Sequence, residues 1–139
     1  MFKTALVSVD VAQPGETRKL LAAAKALTAA WECDFHVITV VPDFGRTVVG
    51  DILDKRFEDR SHDAAEIELR NAVFAAGIDA RTHVASGKVY DRVIQMADTI
   101  GAELILIGAH SPELKDYLLG SNAARIVRHS PKSVLVLIT

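Results

Sequence analysis

Short apolar runs alternate along this chain with longer stretches of amphipathic sequence. Five of these runs predict β-strands, at 5–9, 35–41, 80–85, 104–107 and 133–138. Four of the five are nearly continuous in apolar residues, which is typical of strands that helices cover on both faces. The run at 80–85 alternates polar and apolar residues, so we expect it to lie nearer an edge of the sheet.

The stretches between the runs carry helical patterns. Two of them show one apolar stripe at helical spacing, made of Leu20, Ala24, Leu27 and Trp31 in the first and of Val89, Val93, Ala97 and Ile100 in the second. Residues 51–76 are mostly helix-forming, and Gly77 is the expected terminator. A last helix is expected to bury Ala123, Ile126 and Val127 before Pro131 stops it.

Strands and helices that alternate in this way predict an α/β fold with a parallel sheet and helices on both faces. The chain is expected to be one domain, 1–139, built as a three-layer sandwich around a five-stranded sheet. Periodicity leaves two strand orders open, flavodoxin-like and Rossmann-like. Either fold binds ligands beyond the carboxyl ends of its strands, where the strand order reverses. Asp10, Val41 and Gly108 end the first, second and fourth strands, so a ligand is expected beside them.

Composition narrows the class of protein. The chain has 139 residues, of which 50% are hydrophobic and 24% charged, which is a globular balance. Its net charge of −2 and the lack of a long Lys and Arg run disfavour nucleic acid as a partner. The single cysteine, Cys33, excludes an intrachain disulfide. The sequence shows neither a signal-peptide pattern nor an apolar run of about 20 residues, so we expect a cytoplasmic domain without a membrane partner.

Several common catalytic and nucleotide-binding motifs are absent from the sequence. It contains no GxxxxGK[ST] loop, no GxGxxG after the first strand, no HExxH and no GxSxG. These absences disfavour a P-loop NTPase, a dinucleotide site, a zinc enzyme and an α/β-hydrolase. The five histidines show no spacing typical of metal ligands.

The last quarter of the chain has the pattern of a phosphate-binding turn. A buried strand ends at Gly108, a polar loop follows, and Gly120-Ser121 opens a helix. A helix N-terminus offers unpaired N–H groups and the positive end of the helix dipole, and glycine lets an anion approach the backbone. Because Lys115 and Arg125 only flank this turn, the phosphates would depend on backbone amides, a metal ion and those flanking cations.

Three segments resemble the universal stress protein family: 7–10 (VSVD), 36–41 (HVITVV) and 108–138, which includes YLLGSNAA, VRH and SVLVL. The resemblance covers essentially the whole chain and is strongest to the small ATP-binding bacterial branch. It implies an adenine nucleotide α-hydrolase-like fold and a homodimer. ATP-binding members carry G-x2-G-x9-G-[ST]. Here Ser111 occupies the second glycine position, and eight residues separate it from Gly120. That branch shows a similar shortened loop with a proline.

The resemblance also implies roles for individual residues around one nucleotide. Asp10 would hydrogen-bond the ribose hydroxyls or help to place a metal, Val41 would pair with the adenine edge through its backbone, and Ile107 would flank the base. The ribose and the phosphates would be lined by Gly108, His110 and Ser111. The phosphates would be held by Gly120, Ser121 and Asn122.

Each of these residues also has a purely structural interpretation. Asp10 could cap the first helix or stabilise a turn, and Ser121 is a good helix N-cap without any ligand. Gly108 could simply permit a bend, and His110 could be an ordinary surface histidine. Cys33 is expected to be a packing residue rather than a redox centre.

The function implied is that of a cytoplasmic, homodimeric stress-response protein that binds ATP, or AMP or ADP, with Mg²⁺ or Mn²⁺. Pairing of the apolar last strand, Ser133–Ile138, with a second copy would form the dimer, and nucleotide occupancy would change an interaction with a protein partner. One alternative is slow ATP hydrolysis or self-phosphorylation, although the sequence indicates no catalytic residue. A second alternative is a dimeric interaction module that binds no nucleotide.

Overall fold

The computed structural model describes residues 1–41, 51–109 and 119–138, with side chains described outside 51–59. These residues form five strands and four helices that alternate along the chain, as the sequence predicts. Their bounds are β1 Thr4–Ser8, α1 Pro14–Thr28, β2 Asp34–Val41, α2 Asp51–Ala76, β3 Ala80–Ser86, α3 Val89–Ile100, β4 Leu104–Gly108, α4 Ser121–His129 and β5 Ser133–Leu137.

The five strands form one parallel sheet in the order β3-β2-β1-β4-β5. This order is Rossmann-like, which settles the alternative that periodicity left open. The chain runs outward from β1 to β3 and then returns to the other side of β1, so the strand order reverses between β1 and β4. β3 and β5 are the edge strands, which confirms the edge position expected for the alternating run at 80–85.

The two faces of the sheet support separate hydrophobic clusters. Ala5 and Val7 of β1 face a cluster that includes Leu21 of α1 and Leu69 of α2. Leu6, between them in sequence, faces the cluster that includes residues of α3 and α4. The side chains of β1 between Ala5 and Val7 are fully buried, because helices cover both faces of the central strand. The three-layer α/β sandwich is therefore confirmed.

The helical stripes differ from the predicted ones at their ends. Leu27 is 40% exposed, because α1 buries the face that carries Leu20, Leu21 and Ala24 instead. Trp31 lies beyond the end of α1 and packs edge-on against Phe2, with ring centroids 5.5 Å apart. Val127 is 48% exposed, whereas its neighbour Ile126 is fully buried. Leu27 and Val127 were misassigned because a partly apolar helix does not show in its sequence which edge of its stripe meets the sheet. Trp31 packs against the core cluster, but from the turn after α1 rather than from the helix.

Glycine ends α3 as its position predicts. Gly101 adopts the left-handed conformation with φ 69°, and its N–H donates to the Asp98 carbonyl at 3.2 Å. The N–H of Ala102 donates to the Ala97 carbonyl at 2.8 Å, so the last carbonyls of the helix are satisfied. Among the described residues, no helix combines the length and apolar character that crossing a membrane requires.

Gly101→Ala should lower the free energy of unfolding by about 1 kcal/mol, because a Cβ disfavours the left-handed conformation. Packing does not enter this prediction, since a Cβ at this position would meet no atom within 4 Å. Gly15→Ala is the matched control. Gly15 lies inside α1, and its Cβ would approach only the Arg18 guanidinium at 4.0 Å. Urea unfolding should show the control at least as stable as the wild type; equal losses in both variants would contradict the assigned role of Gly101.

Candidate functional site

A cavity of about 450 Å³ lies at the point where the strand order reverses. Its lining combines the carboxyl ends of β1 and β4 with the first turns of α1 and α4. The helices that follow β1 and β4 cover opposite faces of the sheet, so the two connections diverge and leave a crevice between them. This is the position expected from the sequence.

Six of the nine predicted site residues line this cavity, namely Asp10, Ile107, Gly108, Gly120, Ser121 and Asn122. Val41 ends β2 as predicted, but in the described part of the chain the neighbouring Val40 lines the cavity instead. The Val41 carbonyl accepts a hydrogen bond from the Gly87 N–H at 3.1 Å. His110 and Ser111 lie outside the described residues.

Asp10 organises the turn between β1 and α1. Its Oδ1 accepts the Ala12 N–H at 3.0 Å, and its backbone carbonyl accepts the Thr17 hydroxyl at 2.7 Å and the Gln13 N–H at 2.9 Å. The N-cap of α1 is Gln13, so Asp10 stabilises a turn rather than capping the helix. Among the described residues, Oδ2 of this exposed carboxylate has no hydrogen-bond partner, which leaves it available to a ligand.

The start of α4 presents backbone donors to the cavity. Gly120 is the N-cap, with φ −67° and ψ 165°, and its carbonyl accepts the first helical hydrogen bond from the Ala124 N–H at 3.0 Å. The Gly120 N–H itself donates to the Ala109 carbonyl at 3.1 Å. The N–H groups of residues 121–123 precede that first helical bond, so they have no carbonyl within the helix to bind.

The interpretation of Ser121 as a helix cap was wrong. Ser121 is the first residue of α4 rather than its N-cap, and no side-chain cap hydrogen bond is present at this helix start. Ser121 is exposed and lines the cavity beside Asn122, so its hydroxyl and the Asn122 amide are polar groups that face the same space. This position gives both side chains access to a ligand.

The cavity is bordered both by the positive ends of helix dipoles and by negatively charged carboxylates. α1 and α4 begin at this edge of the sheet and direct partial positive charge toward it. The charged side chains in the described lining are Asp10 and Glu16, and Lys19 Nζ lies 3.9 Å from Glu16 Oε1. The guanidinium of Arg125, a predicted flanking cation, lies 5.0 Å over the Tyr90 ring. The site therefore combines an anion-binding helix start with hydrogen-bond acceptors.

Sequence reasoning missed the contribution of α1. Gln13, Glu16 and Thr17 line the cavity, and Thr17 is 3% exposed. No motif marks these residues. The available signal was topological, because the helix after a strand begins at the edge of the sheet where that strand ends. Apolar side chains in the lining come from two strands, three helices and the turn after β1, and they are Val9, Ala12, Leu20, Val40, Val89, Ile107 and Ala123.

A group of polar side chains on α2 lies apart from the residues that line the cavity. One ligand atom from each of His62, Asp63 and Glu66 lies within 4.8 Å of the others. Nε2 of His62 faces the Val84 carbonyl at 3.1 Å, and Glu66 accepts a hydrogen bond from Arg70 at 2.7 Å. Protein partners therefore account for two of the three side chains.

Cys33 lies at the start of β2, away from the cavity. Burial raises the pKa of its thiol, and the Asp34 and Glu103 carboxylates raise it further. Deprotonation is disfavoured at this position, which agrees with the packing role expected from the sequence.

The chain matches the model of the universal stress protein family over residues 1–137. It is 33% identical over 143 aligned residues to universal stress protein G of Salmonella typhimurium, an alignment that covers 98% of this chain and 99% of that protein. Among solved structures, a universal stress protein UspA from Lactobacillus plantarum superposes with a TM-score of 0.81 at 19% identity, covering 97% of each chain.

Two further solved structures contain adenine nucleotides. A universal stress protein in complex with cAMP superposes with a TM-score of 0.72 at 20% identity, covering 99% of this chain and 97% of that one. A universal stress protein from Archaeoglobus fulgidus in complex with dAMP gives 0.62 at 20% identity, covering 96% of each chain. The family model matches nearly the whole chain, and the Salmonella protein aligns with it over nearly its full length. This chain therefore belongs to the universal stress protein family.

Proposed function

We propose that this protein binds an adenine nucleotide in the cavity between β1 and β4 and acts as a regulatory homodimer. The observation that carries the proposal is the convergence of Asp10, Ile107, Gly108 and the start of α4 on one cavity at the switch point of the sheet. These residues are far apart in sequence, and they are among those to which the resemblance to the family assigns one ligand. The structures that contain cAMP and dAMP support an adenine nucleotide as the ligand class.

The lining suggests how the nucleotide lies. The adenine ring packs against the apolar wall that includes Val40 and Ile107, and the ribose hydroxyls donate to the free Oδ2 of Asp10. A carbonyl oxygen accepts two hydrogen bonds, so the Val41 carbonyl can serve the adenine edge while it holds the Gly87 N–H. Among the described residues other than its chain neighbours, a Cβ added to Gly108 would meet no atom within 4 Å, which is consistent with space kept for a ligand.

The phosphates lie at the start of α4. There the N–H groups of residues 121–123, the Ser121 hydroxyl and the Asn122 amide supply donors, and the helix dipole favours the negative charge. His110 and Ser111 complete this side of the site in the proposal. Gly120 fixes the turn through its bonded N–H rather than by donating to the phosphates.

The acidic side chains of the lining fit a metal-bound nucleotide. Asp10 and Glu16 provide the carboxylate oxygens that Mg²⁺ and Mn²⁺ prefer. A bound metal would offset the repulsion between these carboxylates and a triphosphate. ATP with Mg²⁺ or Mn²⁺ is therefore the proposed physiological ligand. Comparing its affinity with that of AMP measures the contribution of the outer two phosphates.

Gly120→Val should lower the affinity for Mg-ATP by about tenfold or more, because the added side chain crowds the phosphate-binding turn. The backbone angles of Gly120 are extended, so valine can adopt them and the helix start should be retained. Isothermal titration of the nucleotide-free protein measures the change, with AMP titrated in parallel. Ala124→Val, an exposed position one turn into α4 outside the described lining, is the control and should bind as the wild type does.

Unchanged ATP affinity in folded Gly120→Val would contradict the assigned site. If the wild type itself gives no heat and no thermal stabilisation at millimolar nucleotide, the protein is the nucleotide-free interaction module instead.

The proposed dimer pairs β5 with its copy in a second subunit. β5 is an edge strand, its residues 134–137 are only half-buried, and Ile138 is 70% exposed. An exposed apolar edge offers both unpaired backbone groups and hydrophobic side chains to another strand. Pairing with the same strand of a twofold-related copy would cover both.

Backbone hydrogen bonds connect the cavity to this edge. The Gly120 N–H donates to the Ala109 carbonyl, and the Ala109 N–H donates to the Leu137 carbonyl at 2.9 Å. A nucleotide that tightens the start of α4 therefore acts on Ala109, a residue whose N–H is bonded directly to β5. This link is the proposed route by which occupancy changes the dimer surface and the interaction with a protein partner.

Ile138→Lys should shift the protein from dimer to monomer, because it places a charge beside the apolar edge. Sedimentation velocity over a concentration series measures the shift, with and without Mg-ATP. Ile67→Lys is the control, since Ile67 is 61% exposed on α2 and lies outside the proposed interface. A wild-type monomer at all concentrations, or a dimer that Ile138→Lys leaves intact, would exclude this interface.

A further inference from the structure

Two histidines form a hydrogen-bonded pair inside the sheet. Nδ1 of His36 on β2 lies 2.8 Å from Nε2 of His83 on β3. The ring planes are inclined by only 12°, and the centroids are 5.1 Å apart. That separation matches the hydrogen bond plus the two ring radii, so the rings lie end to end and nearly coplanar, the geometry of one N–H···N bond.

Strand register creates this contact. His36 is directly opposite Arg81, and His83 is opposite Ile38, so the two histidines are diagonal neighbours on the same face of adjacent strands. His36 is 4% exposed, and His83 is half-buried. Neither is among the residues that line the cavity, so the proposed nucleotide site does not explain why two imidazoles share this face.

The carboxylate of Asp34 decides which of the two rings donates the hydrogen bond. Oδ2 of Asp34 lies 3.7 Å from Nε2 of His36 and favours a proton on that nitrogen. Nδ1 of a neutral His36 is then the acceptor, and Nε2 of His83 is the donor. The three side chains form one chain, in which the free nitrogen of the half-buried His83 is the place where an added proton enters.

The hydrogen bond between His36 and His83 depends on how many protons the two rings carry. One proton added to His83 leaves its Nε2–H bonded to His36, because the acceptor nitrogen is still free. A further proton on Nδ1 of His36 places two N–H groups against each other at 2.8 Å, and the two cations repel. The contact therefore survives one added proton and cannot survive two.

Burial and neighbouring positive charge oppose protonation of His83. Burial lowers the pKa of His83, and His36 and then Arg81 lower it further. The helix that packs on this face, α3, contributes apolar side chains, among them Val93 and Ala97, while Asp34 is the carboxylate that faces the pair. A group whose pKa is lowered by folding stabilises the fold above its ordinary value of 6.5, and this stability is lost as the pH falls below that value.

We propose that His36 and His83 form an acid-released latch, which holds edge strand β3 against β2 while the pair shares a proton and opens when both rings become cationic. β3 leads through Gly87, whose N–H is bonded to the Val41 carbonyl, to Val89 of the cavity wall. Release of β3 therefore moves one wall of the neighbouring cavity. The latch itself does not depend on what the cavity binds.

¹⁵N-edited NMR of the histidine rings, recorded across a pH titration of the full chain, tests the latch. In the wild type, Nε2 of both rings should carry the proton at neutral pH, and a scalar coupling should join Nε2 of His83 to Nδ1 of His36. His36→Gln removes the neighbouring ring that lowers the pKa of His83, so that pKa should rise. His129→Gln, at the exposed end of α4, is the control and should leave the His83 titration unchanged.

Urea unfolding at about pH 7.5 and about pH 5 provides a second readout. The fall in the unfolding midpoint on acidification should be smaller in His36→Gln and His83→Gln than in the wild type and His129→Gln. If a glutamine variant fails to fold, the wild-type proton positions and coupling still decide. Two rings that titrate independently near the ordinary value, with no coupling between them, would overturn the proposal.

Discussion

The parallel pairing of β1 with both β2 and β4 is the constraint on which the other features of this protein depend. It makes β1 the central strand, with Leu6 and Val7 fully buried under helices on opposite faces. It also forces the two connections that leave β1 and β4 toward opposite faces, which opens the crevice at their carboxyl ends. The cavity is therefore a consequence of strand order, and the residues that line it are those that happen to end these strands and begin the helices.

The same arrangement places the ligand site close to an edge of the sheet. Ala109 follows β4, and its carbonyl accepts the Gly120 N–H while its own N–H donates to the Leu137 carbonyl. Because β5 pairs with β4 in parallel register, the strand proposed to form the dimer is also the strand next to the proposed phosphate-binding turn. The proposed communication between nucleotide and dimer surface therefore passes through Ala109 rather than through a rearrangement of the core.

The sequence predicted the elements well because burial on both faces leaves an unambiguous apolar run for each central strand. It did not predict which of two strand orders applies, since order depends on which edges pair and not on periodicity. Leu27 and Val127 were misplaced for a related reason: both lie at the margin of an apolar stripe, where a small rotation of the helix decides exposure.

Part of the candidate site could also be predicted from the sequence. Asp10, Gly108 and the start of α4 could be predicted because they follow recognisable strands and a glycine. Gln13, Glu16 and Thr17 could not, since their residue types are ordinary in a first helical turn and only the tertiary position gives them a role. Ser121 shows the limit of local rules, because a good capping residue stands one position inside the helix that Gly120 caps.

The pair of histidines follows from register, which no local pattern reveals. His36 and His83 are 47 positions apart, and a shift of one residue in the pairing of β2 and β3 would send one ring to the opposite face. An apolar pair at these positions would stabilise the sheet without a desolvation cost, so the buried ring of His36 and the half-buried ring of His83 weaken the edge relative to that alternative. Their mutual hydrogen bond offsets this cost only while one nitrogen of the pair stays unprotonated. The stability of the β3 edge is thereby tied to proton concentration, whereas the ladder of β1 with β4 contains no titratable side chain.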